Sequence, residues 1–186
     1  NVDALTGSGL GNMGTSTIVV GLDDGSGTFD GNVRSSYNEA HFRKEGSGTQ
    51  TLNGELKLDK DAGLGSVTVN EGTLIINGDA TGTTGAWTVN AGATLTGSGS
   101  LGGTATIGDG ATLSPGNSPG TQTFDNLTWV NGGTYLWEIN ADSLNGGSGS
   151  EGADPGWDWI DVTNTFDLSG ITTGFNIDIT SLTTDN

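Results

Sequence analysis

Side chains able to do chemistry are few in this chain, and they fall into three groups. The sole histidine, His41, lies among Glu39, Arg43, Lys44 and Glu45, an arrangement that could suggest acid-base work. No serine stands in a triad pattern with it and cysteine is absent, so the segment Tyr37 to Glu45 reads instead as a charged, solvated strand edge that discourages sideways pairing. Acids form the second group. Asp142, Glu151, Asp154, Asp158 and Asp161 surround one Gly-rich loop, and Asp23, Asp24 and Asp30 another. Calcium takes six to eight oxygens, so Asp154, Asp158 and Asp161 are weak candidate ligands; neither loop has EF-hand spacing or the Gly-Gly-x-Gly-x-Asp nonapeptide. The default reading is a solvated acidic surface and no cofactor.

Aromatic residues make the third group. Thr134 to Ile139 and Trp157 to Val162 hold three of the five tryptophans and flank the Gly/Ser-rich stretch from Asn145 to Gly156. As a hairpin-like pair they would close one end of the fold; the alternatives are a sugar-stacking platform or a subunit contact. Alternation puts Trp157, Trp159 and Asp161 on one side and Asp158 and Ile160 on the other, so at least one tryptophan belongs to the core.

The elements that must position these groups are written in the composition. Of 186 residues 35 are glycine, only 31% are hydrophobic, and threonine, asparagine and serine fill the difference, which favours turns and strands over helices. The net charge of −17 repels a phosphate backbone and excludes nucleic acid as a partner, while neutral glycans and other protein surfaces stay open. No run approaches the ~18 apolar residues of a membrane helix, so no membrane insertion is expected. The chain opens at Asn1 without a charged-then-apolar leader; any secretion signal is expected to have been removed or never included.

One pattern recurs: Val69-Asn70-Glu71-Gly72-Thr73-Leu74, Val89-Asn90-Ala91-Gly92-Ala93-Thr94-Leu95, Ile107-Gly108-Asp109-Gly110-Ala111-Thr112-Leu113 and Val130-Asn131-Gly132-Gly133-Thr134-Tyr135-Leu136. Glycines 72, 92, 110 and 133 are 20, 18 and 23 residues apart. A period near 20, with a polar corner between short alternating runs, is what one coil of a parallel β-solenoid requires; a β-sandwich of hairpins is the alternative, but has no reason to repeat one corner. The spacing predicts two inward ladders, Val69, Val89, Ile107, Val130 and Leu74, Leu95, Leu113, Leu136. Ser16 to Leu22 and Thr49 to Leu58 read as earlier coils.

Gly46-Ser47-Gly48-Thr49-Gln50-Thr51-Leu52-Asn53-Gly54, the run from Gly65 to Gly78, and Leu113-Ser114-Pro115-Gly116-Asn117-Ser118-Pro119-Gly120-Thr121 together resemble the autotransporter-associated β-strand repeat. The resemblance spans roughly residues 5 to 180. It implies an all-β, right-handed parallel β-helix, secreted or displayed on a bacterial surface, and does not imply an enzyme. Neither an outer-membrane barrel nor a C-terminal sorting segment is visible, so the chain is expected to be a piece of a longer product.

Two regions are expected: solenoid coils over 1–133, and an aromatic β region over 134–186 that closes or extends them. A catalytic β-helix is disfavoured, since lyase sites need a base and Arg34, Arg43, Lys44, Lys57 and Lys60 all lie in the first third. Gly7-Ser8-Gly9-Leu10-Gly11 lacks the Lys-Ser/Thr of a phosphate loop. What remains is a structural extracellular protein or an adhesin that binds neutral glycans. The structural reading extends to head-to-tail self-assembly into a fibre, with itself as partner and Val2, Leu5, Trp157 and Trp159 as interface candidates.

Overall fold

A computed structural model describes residues 1–37, 39–60, 64–140, 149–154 and 156–182. Every regular element among them is a β-strand, and nearly every pairing is parallel, as in a β-helix. The coil has three faces. The first stacks Thr17–Val20, His41–Lys44, Ser66–Val69, Ala86–Val89 and the later parts of Ser100–Ile107, Thr121–Trp129 and Trp159–Asp167. The second stacks Gly27–Phe29, Thr49–Leu52, Gly72–Ile76, Ala93–Gly97, Thr112–Pro115, Thr134–Ile139 and Asn176–Ser181. On the third lie Leu10–Met13, Asn32–Ser35, Leu56–Lys57, Asp79–Ala80 and the opening residues of the three long strands. Bridges from Val2 to Val20 and from Gly7 to Phe29 add a first rung below these. Eight rungs result, at about 4.8 Å each.

Because side chains alternate, every second residue enters a narrow core. Val69, Val89 and Ile107 stack on the first face and Leu74, Leu95 and Leu113 on the second, all buried. The fourth layer differs from the sequence-based expectation: Trp129, not Val130, pairs with Ile107, and Tyr135, not Leu136, pairs with Leu113. Its corner turns at Gly132 (φ 74°), the counterpart of Gly72, Gly92 and Gly110 with their positive φ, whereas the spacing singled out Gly133. The layer therefore slides by one residue, and a one-residue slide exchanges the inner for the outer face.

His41–Lys44 is also not an edge. It pairs on both sides, with Thr17–Val20 and with Ser66–Val69, and buries Phe42 and Lys44. Lys44 occupies the inward place between Val20 and Val69, where its Nζ donates to the carbonyls of Glu45 (2.6 Å), Gly46 (2.7 Å) and Glu71 (3.4 Å). Gln50 is likewise buried. It accepts from Leu5 N (2.8 Å) and donates to Leu5 O and Gly27 O, so it ties the first rung to the third across a glycine.

Two corners carry amide ladders. Asn53 donates to Asp30 (2.6 Å), Asn77 to Asn53 (2.9 Å), and Asn117 to Asn77 (3.3 Å) and Ser98 (3.1 Å). At the other edge of the second face, Asn70 donates to Glu45 and Asn90 to Asn70, both at 2.7 Å. Each amide passes its donor toward the N-terminal rung, so each ladder ends on a carboxylate, which only accepts.

Candidate functional site

A cavity of about 340 Å³ lies at the C-terminal end, lined by Trp129, Tyr135, Trp137, Trp157, Trp159 and Phe166 among others, with Asp158 in its wall. It forms where the core meets the last rungs. Trp129 is buried beneath the opening and meets Phe175 (5.4 Å between rings), Tyr135 (6.2 Å) and Phe166 (6.5 Å) in tilted or edge-on contacts favoured by ring quadrupoles. Its Nε1 has no hydrogen-bond partner among the described residues.

Asp158 holds this end together. Its carboxylate accepts from Gly120 N and Glu138 N (both 2.9 Å), and its carbonyl accepts from Trp137 Nε1 (3.0 Å) and the Tyr135 hydroxyl (3.2 Å). Burial pushes its carboxyl up to about 6; the two backbone donors pull it down, and the Glu138 charge adds to the rise. Burial likewise pushes the Tyr135 phenol up, with the Asp158 charge second. Gly120 is delivered by the Leu113 to Thr121 run, where Gly116 (φ 82°) folds back onto it. The motif that carries the family resemblance thus supplies one of the donors that hold Asp158.

The three calcium candidates are dispersed. Asp158 is buried and both its oxygens are engaged, Asp154 is exposed and accepts from Asn140, and Asp161 is exposed on the outer side of its strand. No group of three or more potential ligands converges among the described residues; Asp142 lies outside them. In the other acidic loop, Asp24 accepts from Ser47 N (2.6 Å), and the Ser47 hydrogen bonds hold its carboxyl below the usual range. His41 Nδ1 meets Ser66 Oγ at 2.8 Å on the outer surface, and Arg43 pairs with Glu45 (2.6 Å).

Of the interface candidates, Val2 is exposed and Leu5 half-buried under Gln50 at the first rung, while Trp157 is half-buried and Trp159 exposed at the cavity. The last rung leaves Phe166, Ile177 and Ile179 about half or more in solvent. Sequence reasoning passed over Trp129 as a cavity residue, because its inward placement depends on the slid fourth layer. It also passed over Asp158 as a buried strut, since nothing in a lone Asp between tryptophans distinguishes a strut from a ligand.

No known family model matches the chain, and no solved structure does. Over 105 residues, 56% of the chain, it is 34% identical to the adhesin BmaC autotransporter of Brucella suis biovar 1 (strain 1330). The matched stretch spans 3% of that much longer protein, so the similarity is to a short portion of an autotransporter adhesin.

Proposed function

We propose that this chain is a non-catalytic β-helical segment of a secreted, surface-displayed bacterial adhesin, acting as a rigid structural stalk. The observation that carries the reading is the parallel stack of rungs from Val2 to Ser181, in which buried Lys44, Gln50 and Asp158 join one rung to the next. The autotransporter resemblance and the adhesin similarity support the outer surface as its location. The test is antibody labelling of intact cells that produce the full-length protein. Labelling without permeabilisation supports the reading, and labelling only after permeabilisation overturns it.

A second reading, self-assembly into a fibre, is favoured by one observation: the last rung presents Phe166, Ile177 and Ile179 to solvent, apolar side chains that a further rung would cover. That rung could be supplied by continuation of the chain or by the first rung of another copy. Sedimentation of the purified chain at rising concentration decides it, since a species that stays monomeric in physiological salt with calcium removes the fibre. A neutral glycan would dock at the Trp157 and Trp159 cavity, and loss of glycan binding on Trp159→Ala is its test.

A further inference from the structure

The outer side of the second face is a grid. One column runs Ser26, Thr49, Thr73, Thr94, Thr112, Thr134 through successive rungs, and the next runs Thr28, Thr51, Ile75, Thr96, Ser114. No charged side chain stands in either column over these rungs, on a chain of net charge −17. The described hydroxyls of Thr49, Thr51, Thr73, Thr94 and Thr112 make no hydrogen bond within the described residues, so each keeps a donor and two acceptor sites for an external partner. All five of these threonines are half-buried.

The grid has two repeats. Rungs are about 4.8 Å apart, and residues i and i+2 along a strand about 6.7 Å apart. The rung repeat falls close to an oxygen-to-oxygen repeat of hexagonal ice, and the repeat along the strand is shorter than the next one. Stiff, β-branched side chains hold their hydroxyls in place with little entropy left to lose. The Asn53, Asn77, Asn117 ladder and the Asn70, Asn90 ladder border this face, and side-chain ladders of this kind keep a stacked sheet flat.

The geometry points to ordered water, and through it the surface of ice, as the ligand of this face. The occupant follows from three properties together. The face is neutral, which suits an uncharged lattice and not an ionic mineral. It is periodic in two directions, which a soluble ligand would not need. Its hydroxyls can accept and donate, as lattice water requires. This inference goes beyond the stalk reading and does not depend on it.

The test uses the purified chain in slowly grown ice and in a nanolitre osmometer. The expected result is incorporation into the ice, faceted crystals and a gap between melting and freezing temperatures. Thr94→Tyr and Thr112→Tyr should abolish that gap, while Asn12→Tyr, in the charged column Asn12, Arg34, Lys57 of the third face, should leave it unchanged. Equal circular dichroism melts for the variants separate loss of binding from loss of fold. Exclusion of the unaltered chain from the ice front overturns the inference. So does equal loss in Asn12→Tyr, capture on crystalline polysaccharide without any on ice, or a dimer that covers the second face.

Discussion

Asp158 should make this protein more stable as the solution turns mildly acidic. Its folded carboxyl titrates at about 6 because burial disfavours the ion. In an unfolded chain the same group titrates near 3.9. Between those values the folded state holds a proton that the unfolded state does not, so the unfolding free energy falls as pH rises through that window. The contribution is complete below about 4 and gone above about 6. Two pH units at about 1.4 kcal/mol each bound it at roughly 3 kcal/mol, of which about 2 kcal/mol is recovered by about pH 4.5. Asp24, Asp79 and Asp167 act in the opposite sense: hydrogen bonds hold their carboxyls low, so what they contribute is lost as pH falls. They are common to both proteins compared, and cancel in the difference between the unaltered chain and Asp158→Asn. Urea titrations at about pH 7.5, 6 and 4.5 give that difference. It should move in favour of Asp158 by about 2 kcal/mol on acidification. A difference that does not change with pH, or that moves toward the Asn variant, refutes the argument from burial.

Other perturbations separate packing from polar joinery. Val89→Asp places an unpaired charge in the first-face ladder between Val69 and Ile107 and should cost several kcal/mol, seen as a collapse of the thermal melt. Gly116→Ala should be far worse than Gly92→Ala: both have positive φ, but a methyl at Gly116 meets the Gly120 backbone while one at Gly92 meets nothing, leaving strain of about 1 kcal/mol. Lys44→Met removes the donor to three carbonyls and should cost about 1–3 kcal/mol despite its better apolar fit, measured by denaturant midpoint at neutral pH.

What was legible in the sequence was the repeat and its alternation. Val-Asn-x-Gly-Thr-Leu states an inward residue, a corner and a second inward residue in six letters, and three of the four copies stack as spaced. The fourth copy misled because two adjacent glycines, Gly132 and Gly133, can each serve as the corner, and only the backbone chooses Gly132. Lys44 was illegible for a different reason. A lysine in an alternating strand reads as an outward charge, and its burial depends on three carbonyls from Glu45, Gly46 and Glu71, the last 27 residues further on. Asp158 shares this dependence, since its donors come from Gly120 and Glu138. The threonine column was visible as the Thr before Leu74, Leu95 and Leu113, although its meaning as a surface depends on the register between rungs.

The site and the grid both depend on the parallel rung register, and a chain without native cysteine allows a clean test of it. Paired cysteines at Thr112 and Thr134 stand opposite each other on adjacent rungs, about 4.8 Å apart, within reach of a disulfide. The same holds for Thr94 with Thr112. Oxidation should cross-link both pairs nearly completely, read by mass spectrometry after digestion, and should leave the pair of Thr112 and Leu136 open. Cross-linking of Thr112 with Leu136 in preference to Thr134, or of none of these pairs in a folded chain, would contradict the stacked coil.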